Sequence, residues 1–305
     1  MTFWAILAGL APSFLLVGLG GLVRGRLSGN AWQGLDRLNY EILFPALLFV
    51  AASSRPIPLD AVATIAPAVW AILLCGLVAG YAARRFGPPA FLDFAGAWQT
   101  AWRFNSAIGI VAAGALGGAE PALMAVTIGL AVPLANVFAV SALSRGGALG
   151  AGATVRRVAL NPFLLASLGG VLVGLSGIAL PGLLLAPLRL LAEAAIPIAL
   201  ISVGATMNWR ALARLDRFGG TLCGVKLLLL PALVAGPALI LGATGPYVAT
   251  LMVFAALPTT SSAHVIATGF GADRALAATL VAQSTLLSAL TLPFWMTLAQ
   301  TLFLR

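Results

Sequence analysis

Two polar stretches interrupt an otherwise apolar chain. One is Gln99-Thr100-Ala101-Trp102-Arg103-Phe104-Asn105-Ser106. The other is Leu257-Pro258-Thr259-Thr260-Ser261-Ser262-Ala263-His264. Pro258 removes an intrahelical hydrogen bond and clashes with the preceding turn. The hydroxyls of Thr259, Thr260, Ser261 and Ser262 can satisfy the backbone groups it frees. A helix broken at mid-depth presents a new N-terminus, whose free amides and positive dipole end favour an anionic group. Arg103 adds a guanidinium, whose planar fork can hold a carboxylate by two parallel hydrogen bonds. These residue types could therefore recognise an anion. Each stretch also has a plainer reading: Arg103 as a cap on the carbonyls of a broken helix, and Pro258 as a kink with the hydroxyls bonded back to their own helix.

Other polar groups fall within apolar runs. Lys226 is the one lysine, and it sits about 12 Å into its run at 1.5 Å per residue. Snorkelling to the near edge is the alternative to a place in a substrate or coupling path. Asn136, Gln283, Ser284 and Thr285 are further mid-depth groups, each on its own more often a helix–helix contact than a ligand. Glu41 and Glu193 lie close to opposite faces, where interfacial solvation explains them about as well as a functional role does. The one histidine, His264, excludes a paired-histidine zinc motif. Cys75 and Cys223, both inside apolar runs, exclude a disulfide framework and a cysteine metal site. No cofactor and no metal is expected.

The elements that must position these residues follow from composition. Of 305 residues, 61% are hydrophobic and 8% charged, against about 45–50% and ~25% in an ordinary soluble domain. So few charges cannot solvate a water-soluble fold of this length, which points to an integral membrane protein. The 34 glycines and 18 prolines agree, since both are commoner in membrane helices than in soluble ones. A span of ~20 residues with a short loop leaves room for about ten helices and no soluble domain. The apolar runs place them at roughly 3–23, 38–54, 59–82, 91–117, 121–143, 158–178, 186–206, 218–241, 246–269 and 274–303. The start, Met-Thr-Phe-Trp, lacks a basic n-region and reads as the first membrane helix rather than a cleaved signal. Arg103 then lies about 18 Å into the fourth run, near the bilayer midplane. There an arginine costs at least about 2.5–3.5 kcal/mol unless it faces a polar cavity, pairs, or meets an anion.

The net charge of +9 does not signal nucleic acid, because the arginines cluster in short linkers between apolar runs. One set of linkers holds Arg24, Arg26, Arg37, Arg84, Arg85, Arg145, Arg156, Arg157, Arg210, Arg214, Arg217 and Arg274. The other holds Arg55, Arg189 and Arg305. This ratio of 12 to 3 places the first set in the cytoplasm and both termini outside.

The two halves look alike. Glu41-x-x-x-Pro45 recurs as Glu193-x-x-x-Pro197, an offset of 152, and the same offset sets Asn105–Ser106 against Leu257–Pro258. Five helices is an odd number, so the second half enters from the opposite face. The expected fold is all-α, ten transmembrane helices in a five-plus-five inverted repeat, with residues 1–150 and 151–305 as the halves. This is an architecture of secondary transporters.

Arg103-Phe104-Asn105-Ser106-Ala107-Ile108-Gly109, Ala131-Val132-Pro133-Leu134-Ala135-Asn136-Val137, Leu257-Pro258-Thr259-Thr260 and Leu286-Leu287-Ser288-Ala289-Leu290-Thr291-Leu292-Pro293 resemble motifs of the auxin efflux carrier family. Its bacterial members include malonate and other dicarboxylate permeases. The resemblance covers essentially the whole chain. It implies the fold of the bile acid sodium symporters: a scaffold of helices 1, 2, 6 and 7, a transport unit of helices 3–5 and 8–10, and helices 4 and 9 broken and crossing at the substrate site. The family's crossover asparagine maps to Asn105 and its crossover proline to Pro258. Plant members also carry a proline soon after that asparagine. This chain has none between Asn105 and Glu120, so the break must rest on Asn105, Ser106 and Gly109. The long cytoplasmic loop of many plant members is absent too.

The reading is a secondary transporter of small organic anions, mono- or dicarboxylates, in the cytoplasmic membrane. Asn105, Arg103, Ser106, Pro258, Thr259, Thr260 and Asn136 are the substrate-binding candidates. Lys226, His264, Gln283 and Thr285 are intramembrane polar groups for coupling. Proton or sodium coupling and a homodimer are left open. Gly21-x-x-x-Gly25 and Gly170-x-x-x-Gly174 would serve close helix contacts, within the chain or between chains. A sodium-coupled symporter of the same fold is the nearest alternative, with Asn105, Asn136 and Gln283 as ligands. A sodium/proton antiporter would need a midplane aspartate, whereas Asp36, Asp60, Asp93, Asp216 and Asp273 fall near expected helix ends. An intramembrane serine protease would use Ser176 of Gly174-Leu175-Ser176-Gly177 with His264 as base, but the expected depths set the two far apart. Topology is testable with single cysteines at Gly118 and Gly147 in a background without Cys75 and Cys223. A membrane-impermeant reagent on intact cells should label position 118 and spare 147; the opposite pattern reverses the orientation.

Overall fold

The structure, a computed structural model, describes residues 3–53, 59–116, 121–146, 152, 156, 159–206, 209–212 and 215–304. Arg55, Gly118, Glu120, Gly147, Arg157, Arg214 and Arg305, all used above, lie outside the described residues. Among the described residues every regular element is a helix. Helices α1 (Phe3–Val23), α2 (Gly29–Leu38), α3 (Phe44–Ser53), α4 (Leu59–Tyr81), α5 (Phe91–Trp98), α6 (Ser106–Ala115) and α7 (Pro121–Gly146) make the first half. Helices α8 (Pro162–Ser176), α9 (Gly182–Thr206), α10 (Trp209–Leu212), α11 (Arg217–Gly224), α12 (Leu230–Ile240), α13 (Pro246–Ala256), α14 (Ser262–Gly269) and α15 (Arg274–Phe303) make the second. Among the described residues five segments are long and apolar enough to cross a membrane: Ile65–Phe86, Val126–Gly146, Gly182–Thr206, Arg217–Ile240 and Arg274–Phe303. The chain is a multi-pass membrane protein.

The expected boundaries need correction at three starts. The second helix begins at Gly29, not 38, because Ser28 caps it by accepting from the Ala31 amide at 3.3 Å. Its first turns are amphipathic, burying Trp32 and Asp36, and a search for apolar runs passes over such a segment. The sixth begins at Pro162, where Asn161 accepts from the amides of Phe163 and Leu164 at 3.0 and 3.3 Å. The seventh starts at Gly182, before 186.

Two wide π turns, Asn39–Leu43 and Val225–Leu229, each end two residues before a proline, Pro45 and Pro231. Proline cannot donate to the carbonyl four residues back and its ring crowds it; widening the helix relieves that clash. The carbonyl that Pro231 leaves free, that of Leu227, accepts from the Trp295 indole at 2.8 Å.

Close packing of backbones holds α1 against α9, while α3 packs on both α8 and α9. A Cβ on Gly20 would run into the Ile201 carbonyl, and one on Gly204 into the Val17 carbonyl. Gly21 faces the Trp209 ring, and Gly170 and Gly174 are buried. These small residues are thus used inside the chain. Overpacking costs about 1–3 kcal/mol, so Gly204→Ala should lower the detergent melting temperature, whereas Gly236→Ala, with open space around it, should not. Equal melting temperatures would contradict the tight α1–α9 contact.

Candidate functional site

The helical segments read from sequence as the fourth and ninth are both broken, between α5 and α6 and between α13 and α14, and the breaks touch. After α5 a short 3-10 turn, Gln99–Ala101, leads into non-helical residues 102–105. Asn105 then caps α6, its carboxamide oxygen accepting from the Ile108 amide at 3.1 Å. In the ninth helix α13 ends at Ala256, and α14 begins at Ser262. The Asn105 amide donates to the Pro258 carbonyl at 2.8 Å. The Thr259 hydroxyl donates to the carbonyl of Thr100 at 2.9 Å, with that of Arg103 at 3.3 Å. The Thr259 amide donates to the Ser284 hydroxyl of α15 at 3.0 Å. The break without a proline is therefore held by the break that has one. Gly109 serves this fit, since a Cβ there would lie 2.9 Å from the Leu257 side chain.

A cavity of about 370 Å³ opens beside the crossing. Phe44, Leu47, Leu48 and Ala51 of α3, with Ile196 of α9, form an apolar wall. Their spacing in α3 is that of one helix face. Arg103, Phe104, Asn105 and Ser106 form the facing wall with Thr260, Ser261 and Ser262, and α7 adds Ile128, Val132, Ala135 and Asn136. Both half-helix N-termini, at Ser106 and Ser262, thus line one space. Arg103 is only 4% exposed. Its Nη2 donates to the Ser262 hydroxyl at 2.7 Å, while Nε and Nη1 have no hydrogen-bond partner. The Asn136 amide nitrogen reaches the Phe163 carbonyl at 3.5 Å, and its Oδ1 is unpartnered.

Of the candidates read from sequence, Arg103, Asn105, Ser106, Asn136 and Thr260 line the cavity. Pro258 and Thr259 sit behind them and build the crossing. The intramembrane polar groups lie elsewhere. Lys226 does not snorkel: it is 1% exposed and donates to the Ala255 carbonyl at 2.8 Å. That carbonyl is in the last turn of α13, where a cation meets the negative end of the helix dipole. Gln283 and Thr285 are buried on α15, Thr285 donating to the Val281 carbonyl at 2.9 Å.

His264 is fully buried with its Nε2 at 3.4 Å from Asp36 Oδ2. Arg274 donates to the same oxygen at 2.7 Å, and the Ser202 hydroxyl donates to Oδ1. The sequence reading missed this cluster. It set Asp36 at a helix end, although Trp32 and Asp36 stand four residues apart on one buried face. The serine-protease alternative fails on geometry. Ser176 is exposed at the end of α8, bonded to the Val173 carbonyl at 2.8 Å, while His264 is fully buried on α14 and faces Asp36.

Comparison with known proteins points to membrane transport. Residues 151–296 match a family model described as "Membrane transport protein". The chain is 28% identical over 293 residues, 92% of its own length and 91% of the relative's, to a Rhizobium meliloti (strain 1021) protein named "Putative malonate transporter". Both matches are similarities to membrane transport proteins, the first over the second half of the chain and the second over nearly all of it, in keeping with the motif resemblance.

The crossing makes a stability prediction. Thr259→Val removes the hydroxyl that serves the Thr100 and Arg103 carbonyls, and leaving such groups unsatisfied costs about 1–3 kcal/mol. Its melting temperature in detergent should fall, and Thr259→Ser should restore most of the loss. A valine variant as stable as wild type would contradict the role of that hydroxyl.

Proposed function

We propose that this protein is a secondary transporter that moves small organic anions, mono- or dicarboxylates, across the cytoplasmic membrane by alternating access, and that it is not an enzyme. The observation that carries the reading is Arg103. It is a buried guanidinium on a cavity wall with two nitrogen atoms unpartnered, between two half-helix N-termini. A carboxylate would supply the acceptors that Nε and Nη1 lack, and both dipole ends favour its charge. The name of the Rhizobium relative points to the same chemical class.

In this reading the ten spans form two inverted five-helix units, 1–150 and 151–305, with both termini outside. Pairing of the first helix with the seventh (α1 on α9) and of the second with the sixth (α3 on α8) supports it. The offset of 152 exchanges those pairs. The scaffold is then α1, α2–α3, α8 and α9. The cavity lies between α3 and α9 of that scaffold and the broken helices of the transport unit.

Reconstituted liposomes loaded with malonate or benzoate and offered the labelled acid test the function by counterflow. Arg103→Lys keeps the charge without the fork and should bind about tenfold more weakly; Arg103→Gln should lose more. Normal folding with unchanged carboxylate binding in Arg103→Gln would sink the anion role. If Arg103 only caps carbonyls, both variants misfold instead.

A further inference from the structure

We propose that His264 is a proton-binding site linked to occupancy of the cavity, so that a carboxylate and a proton are taken up together. The inference rests on the carboxylate reading above and adds the coupling ion.

His264 stands two residues along α14 from Ser262, the residue that holds Arg103 at the cavity wall. Its Nε2 points at Asp36, and neither ring nitrogen has a hydrogen bond within normal length. The imidazole is therefore an unspent proton acceptor beside a buried carboxylate. The groups on the elements packed against α14 are accounted for as follows. Asp36 of α2 and Arg274 of α15 form the cluster, with Ser202 of α9. Arg37 pairs with Glu41 at 2.8 Å on the exposed surface. Tyr40 receives the Asn161 amide at 2.6 Å, Asp93 accepts from the Asp273 amide at 2.8 Å, and Asp273 caps α15. Arg145 of α7 lies over the Phe91 ring at 5.9 Å, and Arg189 and Glu193 of α9 are exposed. The Asp36 carboxylate is already matched by Arg274, so a proton on His264 adds a net positive charge to a buried site.

That charge is the basis of the coupling. With the cavity empty, the Arg103 guanidinium has no acidic partner among the described residues. A second positive charge in the same water-poor interior, two residues along α14 from the Ser262 that holds Arg103, is then disfavoured. A bound carboxylate cancels Arg103 and lifts the penalty, and the imidazolium faces the Asp36 carboxylate. The cluster comes nearest the surface at Arg274, whose side chain is 19% exposed. By linkage, a carboxylate that raises proton affinity at His264 must itself bind more tightly when His264 is protonated, by the same factor. The cluster also joins α2 and α9 to α14 and α15, so the proton sits where the proposed scaffold meets the proposed transport unit.

The chain has one histidine, so selective 15N-histidine labelling of the full-length protein, purified on a tag without histidine, reports this imidazole alone. Its titration is followed by NMR in nanodiscs from about pH 5 to about pH 8, the interval in which an unperturbed histidine side chain changes charge. It is measured with the cavity empty and with saturating malonate or benzoate, saturation being set by equilibrium binding of the labelled acid. The bound acid should raise proton affinity about tenfold, within the usual range of site-to-site coupling. The acid's Kd should fall by the same factor as pH falls. His264→Gln should bind with wild-type high-pH affinity at every pH. An imidazole titration unmoved by the bound acid overturns the proton site and leaves the carboxylate reading standing. Failure of either acid to bind overturns that reading, and this inference with it.

Discussion

Two helices stop and restart inside the protein, and each interruption leaves backbone carbonyls and amides without helical partners. Water cannot reach them in the hydrocarbon region, so the fold must supply the missing bonds. It does so by crossing the interruptions. The Asn105 amide meets the Pro258 carbonyl, and the Thr259 hydroxyl meets the Thr100 carbonyl. Neither break is satisfied alone. This mutual requirement fixes where α5, α6, α13 and α14 end and aims both new N-termini at the same cavity. It also accounts for a break in the fourth helix that has no proline of its own. Asn105 supplies the cap on one side, and the crossing segment at Pro258 and Thr259 supplies the rest.

The buried cations divide along the same geometry. At the N-terminal ends of the second half-helices the dipoles are positive, and Arg103 lies there with unused donors. At the C-terminal end of α13 the dipole is negative, and Lys226 lies there with its donor bonded to Ala255. Lys226 is stabilised by what surrounds it, whereas Arg103 gains from an added anion. Sequence depth alone treats the two as equivalent, since both fall far from a membrane edge. The direction of the nearest half-helix separates them.

The helical class, the polar interruptions and the crossing residues were legible in the sequence. They rest on strong local signals: runs of apolar residues, a proline in an apolar helix, a guanidinium at mid-depth. Arg103, Asn105, Ser106, Asn136 and Thr260 meet at one cavity, as their depths required. The apolar wall was not named, although Phe44, Leu47, Leu48 and Ala51 repeat at helical spacing. A face turned toward a cavity reads like one turned toward lipid or another helix. The Asp36 cluster was missed for a different reason. Its members come from α2, α9, α14 and α15, and side-chain pairing over that separation has no periodic trace. The start at Gly29 was hidden because only one face of α2 is buried, so no continuous apolar run marks it.

The two walls of the cavity differ in a way that bears on movement. The side made by α3 and α9 offers hydrocarbon, and apolar surfaces can shift past one another without breaking directional bonds. The side made by the crossing is tied together by hydrogen bonds and would move as one body. Polar links that span the two sides include the long Asn136–Phe163 contact and the bonds of Asp36 and Ser202 to Arg274. The second group is buried, charged and short, so it resists separation far more than the apolar wall does. In an alternating-access cycle the cost of movement would therefore concentrate at Asp36. In such a cycle a change of charge at His264, which faces the same carboxylate oxygen at 3.4 Å, would act at these pinning bonds and not at the apolar wall.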